Sequence, residues 1–142
     1  MINPWKMRSR PEPDREYLGL VSTLPLRRFR DIGRFLHSSA RIQEQLRTTP
    51  GLIGYSLMAS VWSKTFRTLS VWEDEAALQR FVGTSPHVGV MSALQGKMGR
   101  TTFVRWRIRG SECPPRWEDA LRRESAAATT RPDAPGGRPS AS

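Results

Sequence analysis

The run Thr65-Phe66-Arg67-Thr68-Leu69-Ser70-Val71-Trp72-Glu73-Asp74-Glu75-Ala76-Ala77-Leu78 changes its hydrophobic period midway, and that change decides the fold. Residues 65–72 are rich in β-branched and aromatic side chains, the composition of a strand. Glu73, Asp74 and Glu75 then place carboxylates where a helix N-terminus favours them, and Leu78, Phe81 and Val82 form an apolar stripe that Gly83 ends. A strand therefore feeds a helix. Just upstream, Ser63-Lys64 is short enough for a hairpin, and Leu52 to about Trp62 alternates with Ile53, Tyr55, Leu57, Ala59 and Val61 on one side. The two runs predict an antiparallel pair.

Farther towards the N-terminus, Tyr17–Leu24 carries Leu18, Leu20 and Leu24 on one side and predicts a first strand. From Arg27 to about Thr48, apolar residues recur at spacings of three and four through Phe29, Ile32, Leu36 and Ala40, then Ile42 and Leu46 after one register slip, which predicts a long helix. Pro50-Gly51 turns the chain, because Pro50 lacks a donor and Gly51 has a permissive backbone. Towards the C-terminus, Ser85 is a candidate N-cap with Pro86 at the first helical position, and Met91, Leu94 and Met98 follow at helical spacing until Gly99. Thr101–Arg109 alternates as a last strand, with Thr102, Val104, Trp106 and Ile108 on one face and Phe103, Arg105, Arg107 and Arg109 on the other. Trp117 and Leu121, at i and i+4, predict a short helix strapped onto the domain.

The order β, α, β, β, α(α), β predicts an α+β, ferredoxin-like split βαβ fold, a four-stranded antiparallel sheet with helices on one face. Residues 1–16 read as an N-terminal extension, 17–110 as the domain, 111–124 as the strap and 125–142 as a disordered tail too poor in apolar residues to offset chain entropy. A bare sheet face bearing Tyr55, Trp62 or Phe103 would be a large apolar patch, so a homodimer formed sheet to sheet is expected.

The 142 residues suffice for one small core, and no stretch of 18 apolar residues or secretory signal stands out, so the expectation is a cytoplasmic protein with no membrane partner. Cys113 is the only cysteine, and with only His37 and His87 no metal site can be assembled from the pattern. The formal charge of +10 is concentrated in residues 17–110, yet 20 of the 23 cations are arginine, a skew that codon composition can produce without selection for phosphate binding. No nucleic-acid motif accompanies the charge, so nucleic acid is not the expected partner.

Pro50-Gly51-Leu52-Ile53-Gly54-Tyr55, Phe66 to Leu78, Ser85-Pro86-His87 and Phe103-Val104-Arg105-Trp106 together resemble the antibiotic-biosynthesis-monooxygenase-like dimeric α+β barrel proteins over roughly residues 17–110. Pro114-Pro115-Arg116-Trp117 looks like an extension of an uncharacterised branch. The resemblance implies a homodimer with a pocket in each subunit between the sheet and its helices. Members of that family include cofactor-free quinone-forming oxygenases, haem-degrading oxygenases and proteins with no assigned activity. The haem-degrading branch fits poorly, because its catalytic tryptophan would fall at Phe81 and its iron-binding histidine at Met91; His87, one turn earlier, would have to substitute. No cofactor is therefore expected. Oxygenation of a small aromatic or phenolic molecule needs only a pocket, a base and exclusion of water.

His87 is the candidate base, since a helix N-terminus keeps its ring neutral; the same position also suits a partly exposed capping residue. Phe66, Trp72, Phe81 and Met91 are candidate substrate contacts, although aromatic and Met side chains describe an ordinary core equally well, and a buried Trp72 indole needs an acceptor. Arg105 and Arg107, with Arg109, form either an anion site or a solvated edge or rim paired across the dimer with Glu73, Asp74 or Glu75. Two classes stay open: a cofactor-independent monooxygenase, and a non-catalytic barrel that binds a small aromatic ligand.

Overall fold

The computed structural model describes residues 2–83 and 101–130. Strands β1 (Lys6–Met7), β2 (Glu16–Pro25), β3 (Leu52–Ser60), β4 (Thr65–Trp72) and β5 (Thr102–Arg109) form one sheet in the order β1-β3-β4-β2-β5, antiparallel throughout. Helix α1 (Ile32–Arg47) follows β2 after a 3-10 turn at Phe29–Asp31, and α2 (Glu75–Val82) follows β4. Helix α3 (Trp117–Thr130) ends the described chain. The ferredoxin-like α+β reading therefore holds, with five strands in place of the four expected. The expected helix over Ser85–Met98 lies outside the described residues.

The extra strand comes from the N-terminal extension. Lys6 and Met7 pair with Tyr55 and Gly54 at the free edge of β3, and Trp5 lies flat over Gly54, where a Cβ would sit 2.5 Å from the indole. No side chain other than hydrogen leaves room for that ring. The turn into β3 has a similar device: Gly51 has a φ of +85°, and a Cβ there would meet the Ala77 Cβ at 2.5 Å. Its carbonyl accepts from the Glu73 N–H at 2.7 Å, which ties the start of β3 to the end of β4. Asp74 caps α2 by accepting the Ala77 N–H at 2.9 Å, as the acidic turn predicts.

Both faces of the sheet are covered. On one, Leu20, Leu46, Leu52, Tyr55, Trp72, Leu78 and Phe81 pack with α1 and α2, and Phe35, Phe66 and Leu26 extend that layer. On the other, Val21 and Leu69 pack against Ala120 of α3, with Trp5, Val104, Trp106 and Trp117 around them. This corrects the expectation of helices on one face only. Tyr55 and Phe103, expected on a bare face, lie on the face that α1 and α2 cover, and the opposite face carries the chain's own C-terminal helix. Polar contacts fix that helix in place: the Trp117 Nε1–H donates to Ser56 Oγ at 3.0 Å, and Glu124 accepts from Arg67 Nε at 3.1 Å and from the hydroxyls of Thr23 and Thr102. The helix also runs to Thr130 rather than stopping near residue 124, because Ser125-Ala126-Ala127-Ala128 continues it with strong helix formers.

Ala120 is wholly buried between Val21 and Leu69, so its small size sets how closely α3 approaches the sheet. Ala120→Leu is expected to lower stability by about 1–3 kcal/mol through overpacking, read as a lowered denaturant midpoint at unchanged slope. An unchanged midpoint would mean that α3 is not packed there.

Candidate functional site

Strand register builds the site. On the face covered by α1 and α2, side chains line up in rows across β5, β2, β4 and β3: Phe103, Ser22, Thr68 and Leu57 in one, and Arg105, Leu20, Ser70 and Tyr55 in the next. The following row carries Arg107, Leu18, Trp72 and Leu52. The first two rows thus hold three hydroxyls, Ser22, Thr68 and Ser70, beside apolar neighbours. Over them α1 presents Phe35, Ser39, Ile42, Gln43 and Leu46, residues three to four apart and so on one helix face, while α2 contributes Leu78, Gln79, Phe81 and Val82. Between sheet and helices lies a cavity of about 390 Å³, within the range that small-molecule sites occupy.

The wall at the α2 end is Trp72. Its ring is 2% exposed, lies 5.3 Å from the Phe81 ring, and donates its Nε1–H to Ser70 Oγ at 2.9 Å. That acceptor is the partner a buried indole requires. Because the Ser70 oxygen receives this bond, its own proton is free to donate into the cavity. Ser22 and Thr68 have no hydrogen-bond partner among the described residues, so both hydroxyls also face the cavity uncommitted.

The mouth is charged. Arg105 lines the cavity and binds Glu75 at the start of α2, which also accepts from Gln79 Nε2 at 2.8 Å. The Gln79 amide and the Arg105 guanidinium hold the Glu75 carboxyl below its ordinary value of 4.5. A lowered carboxylate pKa keeps this pair ionised at neutral and mildly acidic pH and releases it only as pH falls below that ordinary value. Arg105 is the one ionisable side chain among the described residues that line the cavity, and no cluster of three metal-ligating side chains occurs among them.

The sequence-predicted site residues separate into three groups. Trp72, Phe81 and Arg105 meet at the cavity. Phe66 lies beyond it, packed on Phe35 with ring centroids 4.4 Å apart, and Arg107 points to solvent, paired with Glu16 at 3.1 Å. His87 and Met91 lie outside the described residues. Arg105 finds its carboxylate within its own chain at Glu75, while Glu73 sits 3.9 Å from Arg15. Cys113 is away from the cavity, and burial, with Glu112 nearby, pushes its thiol pKa up, which disfavours a nucleophilic role. Sequence reasoning missed Ser22, Thr68, Ser70 and Gln43. Hydroxyls on a strand read as β-propensity, and only the pairing register, Ser22 opposite Thr68, brings them together.

The model of the antibiotic biosynthesis monooxygenase family matches residues 32–92, which span α1 to beyond α2. Solved structures share the fold at low identity. SnoaB, a cofactor-independent oxygenase from Streptomyces nogalater, superposes with a TM-score of 0.52 at 16% identity over 70% of this chain and 98% of its own. A proposed antibiotic biosynthesis monooxygenase of Caulobacter crescentus gives 0.57 at 19% identity over 63% of this chain and 87% of its own. A proposed monooxygenase of Lactobacillus acidophilus gives 0.60 at 10% identity over 73% of this chain, which spans about half (49%) of that longer protein. No curated protein matches the sequence. The resemblance read from the sequence is thus borne out as a resemblance: the family's model matches part of the chain, and the fold is shared.

Ser70→Ala removes the acceptor of a buried indole N–H. The expected loss is about 1–3 kcal/mol in stability, the cost of an unsatisfied buried donor, with a near-ultraviolet circular dichroism change from Trp72. Ser70→Thr, which keeps the oxygen, should recover most of it.

Proposed function

We propose that the cavity binds a small, largely apolar ring compound bearing oxygen substituents and promotes its oxygenation by dioxygen without a cofactor. The observation that carries this reading is the combination in one cavity of apolar walls, including Trp72 and Phe81, with three hydroxyls on the floor, Ser22, Thr68 and Ser70. Flat apolar surfaces bury a ring system, and the hydroxyls donate to its oxygens. The fold shared with a cofactor-independent oxygenase supports the same chemistry.

A phenol or an activated carbon beside it must lose a proton before it can pass an electron to dioxygen. As a ring CH2 becomes a carbonyl, one oxygen atom enters the product and the other leaves as water, so dioxygen is the only co-reactant needed. The hydroxyls and Arg105 stabilise negative charge on the substrate oxygens as the proton leaves, and the apolar walls keep water from protonating the carbanion. His87 is the proposed base, on the strength of its place after Ser85-Pro86 in the sequence.

A second reading, a carrier that binds the same ligand without turnover, is favoured by one feature: among the described residues lining the cavity there is no carboxylate, imidazole or phenol to take a proton. Dioxygen uptake with a polycyclic phenol that has a reactive ring CH2 separates the two. The enzyme reading expects uptake matched by carbonyl product, and a loss of at least ~100-fold in His87→Ala with folding intact. Binding without uptake in the wild type would establish the carrier. In either case Ser22→Ala with Thr68→Val is expected to weaken binding by about tenfold, the worth of one to two neutral hydrogen bonds. Unchanged binding would move the ligand out of this cavity.

A further inference from the structure

The end of the sheet where β3 turns into β4 carries a surface that the cavity does not explain. The connection Val61-Trp62-Ser63-Lys64 is closed by the Lys64 N–H donating to the Val61 carbonyl at 3.0 Å, with Lys64 at a φ of +56°. Such a tight reversal leaves the two apolar side chains at its tip nowhere to pack: Trp62 is 89% exposed and Val61 52%. The chain leaving β2 is tied to the same turn, since the Leu26 N–H donates to the Lys64 carbonyl at 2.8 Å. This brings up Phe29, itself 53% exposed, with the Lys64 ammonium 4.5 Å from its ring centroid.

Charge surrounds these rings. Residues 27–34 hold Arg27, Arg28, Arg30 and Arg34 against a single acid, Asp31. Among the described residues Arg28, Arg30 and Arg34 have no carboxylate partner, unlike Arg105 and Arg107 on β5. An exposed tryptophan costs solvation, and unpaired like charges repel, so both features together ask for a partner that is apolar inside and anionic at its surface.

We propose that this corner, Phe29, Val61 and Trp62 framed by Lys64, Arg28, Arg30 and Arg34, docks on an anionic phospholipid bilayer. Tryptophan at a protruding tip seats at the headgroup level, where its ring meets acyl chains and its N–H stays wet, while flanking cations meet the lipid phosphates. A protruding tip suits insertion into a fluid interface; a single nucleic-acid strand is held in a groove. The corner also adjoins the cavity. Leu24, one residue before the end of β2, and Phe35, on the first turn of α1, both line it. An apolar ligand dissolved in the bilayer would therefore meet the cavity from the docked side. The absence of a long apolar segment, which set aside a membrane at the outset, bears on spanning and not on docking. The docking rests on the surface alone and does not require turnover.

The test is co-sedimentation of the full chain with vesicles of phosphatidylcholine and phosphatidylserine at 7:3, and with pure phosphatidylcholine, each at 0.1 M salt. Binding to the mixed vesicles only is expected, weakened about tenfold or more by Val61→Ser with Trp62→Ser and likewise by Arg28→Glu with Arg30→Glu and Arg34→Glu. Circular dichroism of each variant checks that the exposed substitutions leave the fold intact. Quenching of tryptophan emission by bromine-labelled lipid should be lost in Trp62→Phe. The proposal is overturned by equal or absent binding to both vesicles, or by undiminished binding of the Val61→Ser, Trp62→Ser variant, which would leave only unspecific charge. It is also overturned if Trp62 proves necessary for single-stranded DNA binding or for self-association while vesicles are ignored.

Discussion

The indole of Trp72 leaves water only because Ser70, two residues earlier on the same face of β4, accepts its N–H, and much of the molecule is arranged around that buried ring. Leu18 and Leu52 are its neighbours across the two strand pairings, and the Phe81 ring closes over it from α2. The chain must then turn at once into α2. That turn works because Gly51 allows Ala77 to come within contact and its carbonyl takes the Glu73 N–H. The same geometry sets the end wall of the cavity and leaves one hydroxyl proton of Ser70 for a ligand. Ser70 thus belongs both to the support of the buried indole and to the floor of the cavity, and a substitution there touches both.

The five strands do not have equal claims on the sequence. Strands β2 to β5 and the helices α1 and α2 are legible because their side chains repeat at two or at three to four residues, and the structure moves their ends by only a few positions. Strand β1 is two residues long, and no periodicity exists at that length. It forms because Gly54 leaves a flat place for Trp5, which is a fact about two distant residues. Helix α3 was legible as a short strap, yet not its destination. Nothing in the spacing of Trp117 and Leu121 says which side of a sheet they cover. Ala120 against Val21 and Leu69, and Glu124 beneath Arg67, settle that question in three dimensions. Composition misled at residues 125–130, where an alanine-rich helical end was averaged with the proline and glycine that follow.

The candidate site was legible in its aromatic wall and hardly at all in its polar floor. Trp72 and Phe81 stand out in any sequence; Ser22 and Thr68 do not, since isolated hydroxyls on strands are ordinary. Their importance arises from being opposite one another in an antiparallel pair and facing a space the helices do not fill. Phe66 was singled out for the same reasons as Trp72, but it lies three rows nearer the hairpin, where Phe35 and Leu26 leave it no free face.

The arginines show how one strand pattern can serve different ends. Arg105 and Arg107 project on the same face of β5, two residues apart, and each is neutralised by a different carboxylate, Glu75 from a helix and Glu16 from the neighbouring strand. Pairing with Glu75 holds the Arg105 head at the cavity mouth, and one ion pair leaves most of its five N–H donors uncommitted. Arg107, largely in water, gains little from its pair beyond quieting a repulsion along the strand. A cavity whose polar groups are hydroxyls, amides and one guanidinium is built to receive negative charge rather than to create it. On the proposed chemistry, these donors would supply the stabilisation that lets a bound ring give up its proton.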